Sequence, residues 1–379
     1  MQRKSDIMIY FDYTATTKPK QELLDLHQKI NSDYWCNTEG MYSYGVKSHA
    51  LLDKSAKVVC DTLNLKNKKV LFTSGATEAN NTAIYGTVYP YYNEPKHIIT
   101  TYLEHASVLK VYQDLEKRGF KVTYLKPTKD GVIDVKELEN SLTNETVLVS
   151  IMWVNNIIGS VLPIKKVIDI IKKYPRAKLH VDAVQGFGKI VPDFNLNDID
   201  LLTLSGHKLG GLKGTGLLIY NDKMHLSFIK GGHQQDSIRP GTVDLAGCVV
   251  MAKTIQLAAN DIYTKYQNVL EKYNYLKEAL KDLSHIILNI SKYSSPYILS
   301  ITFKKVKGET ALHTLEASDI IVGTGSACNS HSKDQEKTLI YTLDDENLAV
   351  NTIRISIAVE TSFEELDILI KKIKEIGNN

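Results

Sequence analysis

Residues 201–216 read LLTLSGHKLGGLKGTG, an apolar run that ends in a small polar group carrying Lys208. Glycines at positions 210, 211, 214 and 216 keep bulky side chains away from the lysine. Short apolar runs bounded by glycine and polar residues are typical of buried strands. The pattern therefore predicts a strand with Lys208 presented at its carboxyl end.

A lysine in this position can do covalent work, because lysine amines form Schiff bases with carbonyl compounds such as pyridoxal phosphate (PLP). PLP also needs a carboxylate at its ring nitrogen. Asp182, in LHVDAVQ at 179–185, closes the preceding strand-like run. If the two strands are parallel, both side chains emerge at the edge where open α/β sheets bind ligands.

PLP further needs donors for its phosphate and a group against its ring. TSGATE at 73–78 predicts a glycine turn that opens a helix, whose free N–H groups bind anions. Ser205 and His207, beside the lysine, add hydroxyl and imidazole donors. His105, in YLEHAS, follows another predicted strand and is placed to stack on the ring.

Each of these residues alone has a commoner structural explanation. A lone lysine after a strand is usually a solvated charge, a lone aspartate a cap, and a lone histidine a satisfied core residue. What favours a cofactor site is that four such features fall in the required order along one α/β pattern.

The fold prediction rests on alternating apolar runs and amphipathic segments. The predicted strands are His97–Thr101, Lys121–Leu125, Thr146–Met152, Leu179–Ala183, Leu201–Leu204 and Gly216–Tyr220. The predicted helices are Ala106–Arg118, Val135–Ser141 and Ile164–Tyr174. Such alternation indicates an α/β domain built on a doubly wound, mostly parallel sheet.

Two domains are expected, because 379 residues exceed what one simple core usually holds. The larger domain would cover residues 14–256, and a smaller C-terminal α/β domain residues 257–379. Residues 1–13 are a candidate to pack on this smaller domain. A long helix, about Thr254–Leu283, would lead to strands at Tyr297–Phe303 and Thr352–Ala358. Ser362 and Glu365 predict a capping box before a last helix.

Composition excludes several classes of protein. The formal charge is only +3, which gives no argument for direct nucleic-acid binding. No apolar run is long enough to span a membrane and the first six residues are too polar for a signal peptide, so the cytoplasm is the expected location. The cysteines lack the spacing of a disulfide framework or metal site: Cys36, Cys60, Cys248 and Cys328.

Two residues of the C-terminal part carry chemical interest. Cys328 lies in VGTGSACNS at 322–330, whose glycines and polar followers predict an exposed loop suited to a reactive thiol. A small buried hydrophobe is the commoner role of a cysteine. Arg354, in NTIRISIA, has the planar fork that captures a carboxylate, although a solvated strand arginine is commoner.

The order of the motifs resembles that of the cysteine desulfurases, class V members of the aminotransferase superfamily with the fold of type I PLP enzymes. The resemblance runs along nearly the whole chain, and each motif alone is weak. The motifs are YFDYTATT at Tyr10, TSGATEANN at Thr73, EHASV at Glu104, VNNIIG at Val154, HVDAVQ at His180, SGHK at Ser205, GGHQQDSIRPGT at Gly231, GSAC at Gly325 and IRIS at Ile353.

The resemblance implies a role for each matching residue. Lys208 would form the Schiff base, Asp182 would hold the ring nitrogen, and His105 would stack on the ring and transfer protons. Arg354 would bind the carboxylate of L-cysteine, and Cys328 would take its sulfur as a persulfide, leaving alanine. Further contacts implied for the cofactor are those of Asn155, which would also touch the substrate, Gln185, Ala76, Thr77, Ser205, His207 and, from the other subunit of a homodimer, Thr242.

Departures from the family pattern leave part of the function open. Ile157 and Gln235 stand where glutamates are usual, Leu212 stands for a proline, and the segment after Cys328 is unlike the usual one. The sulfur acceptor would be a tRNA-thiolation enzyme or an iron–sulfur scaffold. Two alternatives remain: another PLP reaction, such as that of a selenocysteine lyase or an aminotransferase, and a binding protein without chemistry.

Overall fold

The structure is a computed structural model that describes residues 8–324 and 333–376. Its strands are β1 (Ile9–Phe11), β2 (Lys68–Thr73), β3 (His97–Thr101), β4 (Lys121–Leu125), β5 (Thr146–Met152), β6 (Lys178–Asp182), β7 (Leu201–Ser205), β8 (Gly216–Asn221), β9 (Ile286–Leu288), β10 (Ile298–Phe303), β11 (Ile320–Thr324) and β12 (Thr352–Ser356). Its α-helices are α1 (Gln21–Asp33), α2 (Ser43–Thr62), α3 (Ala76–Val88), α4 (Ala106–Lys117), α5 (Val135–Ser141), α6 (Ile164–Ile171), α7 (Leu245–Ala259), α8 (Ile262–Leu280), α9 (Gly308–Glu316), α10 (Lys333–Leu343), α11 (Glu346–Ala349) and α12 (Phe363–Ile376). None of the helices in these ranges has both the length and the apolar character needed to cross a membrane.

The larger sheet has the strand order β2-β8-β7-β6-β5-β3-β4. Its neighbours pair in parallel except for β8, which runs antiparallel to both β2 and β7. This confirms the predicted mostly parallel sheet. It also means that β2, β3, β5, β6 and β7 all end at the same edge, which is where the functional residues are found.

Helices cover both faces of this sheet, which explains why its strands read as continuous apolar runs. Successive residues of a strand point to opposite faces. Accordingly Ile98 of β3 packs in the cluster that contains α3 and α4, while Ile99 packs in the cluster that contains α6 and α7. β3, β5 and β7 are buried along their whole length.

The smaller sheet has the order β1-β11-β12-β10-β9. β1 pairs in parallel with β11, so residues 9–11 form an edge strand of this C-terminal sheet. The capping box at the start of α12 is confirmed. The Ser362 N–H donates to Glu365 Oε2 at 2.8 Å, and the Glu365 N–H donates to Ser362 Oγ at 3.1 Å.

The prediction of one long helix at Thr254–Leu283 was wrong. α7 begins earlier, at Leu245, and the chain breaks before α8 at Asp261, whose φ of 52° is left-handed. α7 is apolar on most of its surface because it is buried, so it lacks the polar face that gives a helix its periodic signal. β9, β11, α1 and α9 were also not predicted.

Candidate active site

A cavity of about 710 Å³ lies at the carboxyl edge of the larger sheet. The strand ends of β2, β3, β5, β6 and β7 contribute to it, together with the segment after β1 and with β12 of the smaller sheet. Lys208, Asp182, His105 and Arg354 all line this cavity. Four residues that are far apart in sequence therefore share one site. The parallel strand ends predicted this for Asp182 and Lys208, whereas Arg354 comes from β12 of the smaller sheet.

Lys208 stands at the end of a short turn that follows β7. Its Nζ donates to the carbonyl oxygens of Thr14 and Ala15, each at 2.6 Å. Burial, followed by the charge of Arg354, lowers the pKa of Lys208 to about 8, although Asp12 and Asp182 act in the opposite direction. An amine with this pKa is partly uncharged near neutral pH and can act as a nucleophile or a base.

Asp182 is the last residue of β6 and is only 6% exposed. Its Oδ1 accepts from the Val184 N–H at 3.0 Å, and its Oδ2 accepts from Asn80 Nδ2 at 2.9 Å. Two donated hydrogen bonds hold the carboxylate in place. A fixed negative charge on the cavity wall suits a cationic ring nitrogen.

The start of α3 forms the anion-binding end of the cavity. Gly75 precedes the helix with a φ of 152°, which favours glycine, and Ala76 and Thr77 line the cavity. Gly216 lies so close that a Cβ there would approach the Gly75 Cα to 2.6 Å. The first N–H groups of a helix have no partners within the helix and carry its positive dipole end, so this end fits a phosphate.

Ser205 and His207 line the same cavity beside Lys208. His207 Nδ1 lies 3.1 Å from Thr16 Oγ1. Burial, followed by the charges of Lys208 and Lys213, lowers the pKa of His207 to about 4, so its imidazole is neutral near pH 7. Both side chains can donate a hydrogen bond to an anion at the start of α3.

Arg354 of β12 is 8% exposed and forms an ion pair, with an Nη2 to Asp12 Oδ1 distance of 2.7 Å. Its Nη1 donates to the Asn156 carbonyl at 2.9 Å. A Cβ on Gly323 would lie 2.6 Å from Asp12 Oδ1 and 2.7 Å from Arg354 Nη2, so only glycine leaves room for the pair. The guanidinium is thereby oriented on the cavity wall, where it can bind a carboxylate.

His105 is the N-cap residue of α4, and its Nδ1 accepts from the Ser107 N–H at 3.2 Å. Nδ1 also lies 2.9 Å from Ser107 Oγ. Burial is the main cause of a lowered pKa of His105. His105 is therefore a neutral aromatic ring on the cavity wall.

Of the other expected site residues, Asn155 and Gln185 use their side chains within the chain, and Thr242 was expected to act only from a second subunit. Asn155 is fully buried: its Nδ2 donates to the Leu103 carbonyl, and its Oδ1 accepts from the N–H groups of Ile157 and Ile158. Its neighbour Asn156 lines the cavity. Gln185 lines the cavity, but its amide donates to Thr14 O at 3.0 Å. Thr242 is exposed and does not line this cavity. Cys328 lies outside the described residues.

The structure adds residues that sequence reasoning missed. Asn80 contacts Asp182, and Ser107 contacts His105. Asn80 lies four positions after Ala76, and this spacing places both residues on one face of α3. The spacing could therefore have indicated from the sequence that Asn80 lies near the site. The carbonyls of Thr14 and Ala15, which hold the lysine, carry no signal in the sequence.

Two of the departures from the family pattern, Ile157 and Gln235, have structural explanations. Ile157 is 2% exposed and packs with Leu339 of α10, so an apolar contact occupies the position of the usual glutamate. Gln235 makes a pair of hydrogen bonds to the backbone of β2, accepting from the Phe72 N–H at 2.8 Å and donating to the Phe72 carbonyl at 3.0 Å. An ionised glutamate has no hydrogen for the second bond.

The cavity fits PLP by the chemistry of its groups. It has a helix start for the phosphate, a buried carboxylate for the ring nitrogen, a lysine of lowered pKa for the aldehyde and a neutral imidazole on its wall. These groups on a doubly wound sheet define a type I PLP enzyme. The model of the family described as aminotransferase class-V matches residues 9–369, and the chain belongs to that family.

Individual relatives agree with this assignment. The chain is 37% identical over 375 residues to a NifS/IcsS protein homolog of Lactobacillus delbrueckii subsp. bulgaricus, covering 97% of each chain. It is 33% identical over 373 residues to the cysteine desulfurase IscS of Clostridium botulinum, covering 97% of this chain and 94% of that protein. The solved structure of a NifS-like protein has a TM-score of 0.89 and 29% identity, over 98% of this chain and 99% of that one.

Proposed function

We propose that the protein is a PLP-dependent cysteine desulfurase that converts L-cysteine to L-alanine and takes up the sulfur. The observation that carries this proposal is the shared cavity of Lys208, Asp182 and Arg354, which offers an amine, a carboxylate and a guanidinium to one amino-acid substrate. The relatives named as cysteine desulfurases, at 32–34% identity, support the choice of substrate.

Bound PLP supplies an acceptor for the electrons that remain when the substrate loses its α-proton. Lys208 is the base that removes this proton, because its lowered pKa leaves part of the amine uncharged. Asp182 stabilises the positive charge of the ring nitrogen across the reaction. Arg354 holds the α-carboxylate, and its contacts with Asp12 and Asn156 orient the guanidinium in advance.

The sulfur is taken by Cys328. Its thiolate attacks the substrate sulfur, a sulfur–sulfur bond forms, and the carbon–sulfur bond breaks with its electron pair left on the substrate side. That carbon then takes up a proton and becomes the methyl group of alanine, while Cys328 carries the persulfide. Two of the described cysteines are poorly suited: burial raises the pKa of Cys248 to about 12 and also raises that of Cys60.

A homodimer would complete the site. Thr242 is exposed and does not line the cavity of its own chain, so it can contribute a phosphate contact only to a second copy. The segment around Trp35 and Met41, which are 79% and 98% exposed, offers an apolar surface for such a partner. A cytoplasmic location would keep Cys328 as the free thiol that the reaction needs.

The acceptor that we propose first is a tRNA-thiolation enzyme, with an iron–sulfur scaffold as the second candidate. The test is to incubate the PLP-loaded protein with ³⁵S-labelled L-cysteine, measure alanine, and follow which purified acceptor receives the label. We expect alanine and a labelled acceptor. A protein that does not bind PLP, or that binds it and forms no alanine, would contradict the desulfurase.

The same assay with L-selenocysteine separates the alternative reaction. A selenocysteine lyase would act on L-selenocysteine without Cys328, whereas the proposed desulfurase needs this residue for L-cysteine. Cys60→Ser is the matched control, because Cys60 is a partly exposed free cysteine of α2, outside the segment around Trp35 and Met41. It should leave alanine formation unchanged.

A further inference from the structure

A continuous set of hydrogen bonds runs from Asp182 to His105 beneath the cavity. Asn80 Nδ2 lies 2.9 Å from Asp182 Oδ2 and 2.9 Å from Ser107 Oγ. Ser107 Oγ in turn lies 2.9 Å from His105 Nδ1. Two of the four residues, Asn80 and Ser107, come from the helices α3 and α4, and neither is used in the reaction described above.

The direction of each bond follows from the chemistry of its partners. A carboxylate oxygen can only accept, so the amide nitrogen of Asn80, and not its oxygen, faces Asp182. The same nitrogen donates its second hydrogen to Ser107 Oγ. Because Ser107 Oγ receives this hydrogen, its own hydrogen is free to point to His105 Nδ1.

A second donor acts on the same ring nitrogen. The backbone N–H of Ser107 points to His105 Nδ1 at 3.2 Å. This donor cannot be reversed, and a hydrogen on Nδ1 would collide with it. Nδ1 is therefore the acceptor nitrogen, and in a neutral imidazole the proton is then on Nε2.

We propose that Asn80 and Ser107 are positioning residues that hold His105 as its neutral Nε2–H tautomer, so that His105 presents a hydrogen-bond donor to the cavity. This inference rests on the proposed function and deepens it. It fixes which nitrogen of His105 carries the hydrogen, and therefore the atom from which a proton transfer by this residue would start.

Two further observations agree with this assignment. Burial is the largest influence on the pKa of His105 and lowers it; of the charged groups that act on it, Asp182 raises the pKa and Lys208 lowers it, so that the net direction is towards the neutral ring. Asn80 Oδ1 is buried without a hydrogen-bond partner among the described residues. Burying an oxygen without a hydrogen-bond partner costs free energy. This indicates that the role of Asn80 lies in the two hydrogen bonds that its Nδ2 donates.

The direct test is the protonation of the His105 ring, measured by NMR on protein labelled with ¹³C and ¹⁵N in its histidines, both free of cofactor and loaded with PLP. The signal of His105 is identified by its loss in His105→Gln. We expect a proton on Nε2 and none on Nδ1, without titration of the ring across the pH range of activity. A proton on Nδ1, or a ring that becomes charged near neutral pH, would overturn the proposal.

Variants of the two positioning residues sharpen this test. Ser107→Ala and Asn80→Ala should each increase the Nδ1–H population and move the pKa of His105 upward, because the first removes the hydroxyl donor at Nδ1 and the second removes the donated hydrogen that turns this hydroxyl towards Nδ1. Ser107→Thr keeps the hydroxyl and should keep the wild-type tautomer. If the alanine variants leave the ring signals unchanged although they fold, as judged by circular dichroism, these residues do not control the tautomer.

An activity measurement separates this inference from the proposed function. A wild-type protein that forms no alanine but shows the Nε2–H ring refutes the desulfurase alone, whereas alanine formation with an Nδ1–H ring refutes this inference alone.

Discussion

Replacing Asp182 by asparagine changes two properties of the site in opposite directions. An amide cannot stabilise a positive ring nitrogen as a carboxylate does. An electrostatic loss of a few kcal/mol in the transition state corresponds to roughly two to three decades in kcat. Asp182 also raises the pKa of Lys208, so its neutralisation lowers that pKa and leaves more of the amine uncharged. Asp182→Asn should therefore bind PLP at Lys208 at least as fast as the wild type near pH 7, yet turn over far more slowly.

The cost to folding can be read from the same contacts. The carboxylate accepts hydrogen bonds from the Val184 N–H and from Asn80 Nδ2. Asparagine has one acceptor oxygen, and its amide group would face one of these donors. The loss of one hydrogen bond to a charged acceptor costs about 1.5–3 kcal/mol, which a typical stability of about 5–15 kcal/mol tolerates.

The assay compares PLP absorbance, the rate of PLP uptake and alanine formation in the two proteins. Asp200→Asn is the matched control, because Asp200 Oδ2 accepts from the Leu179 N–H at 3.0 Å near the opposite end of the same strand. This control should keep full turnover while losing a comparable hydrogen bond. A PLP-loaded Asp182→Asn protein with near-wild-type turnover would refute the role of the carboxylate.

Three further predictions concern Lys208 and Arg354. Lys208→Ala should abolish turnover, and borohydride reduction of the wild type followed by peptide mapping should find PLP on Lys208; PLP on another lysine would disprove the assignment. Because the pKa of Lys208 is lowered to about 8, PLP uptake by the cofactor-free protein should rise with pH and level off above this value, and a rise that continues towards pH 10 would contradict the lowered pKa. Arg354→Lys should raise the KM for L-cysteine by about 10- to 100-fold with an unchanged PLP spectrum, since a lysine cannot replace the fork that contacts Asp12, Asn156 and substrate together. The control is Arg176→Lys on the surface, which should leave the KM unchanged. An unchanged KM in Arg354→Lys would show that Arg354 does not bind the carboxylate.

The sequence predicted the strands of the larger sheet well because each is a short, buried and largely apolar run. β3, β4 and β5 begin and end at the predicted residues. The parallel pairing of β6 and β7 then brings Asp182 and Lys208 to one edge, as expected. The alternation of helices and strands in the sequence already implied that neighbouring strands would pair in parallel.

The contacts that complete the site could not be predicted in the same way. Asp12 and Arg354 are separated by 342 residues. They are brought together by the pairing of β1 with β11 and of β11 with β12, and by a direct bridge between Asp12 and Ser356. Asn80 and Ser107 are ordinary polar residues in helices, and their importance lies in the partners that face them across the fold. α7 was missed in part because a helix buried on most sides has no polar face to reveal its period.

The most direct test of the central claim is the mass of the intact protein after one turnover with L-cysteine. Wild-type protein should gain the mass of one sulfur atom, located at Cys328 by peptide mapping, while Cys328→Ser, still loaded with PLP, should gain none and form alanine far more slowly. A serine hydroxyl is scarcely ionised near neutral pH, whereas a thiol is partly ionised and is then the stronger nucleophile. If Cys328→Ser forms alanine as fast as the wild type, with the sulfur released at the zero oxidation level and reduced to sulfide only by an added dithiol, the protein is not a cysteine desulfurase of the proposed kind, and a lyase reaction without a protein persulfide replaces it.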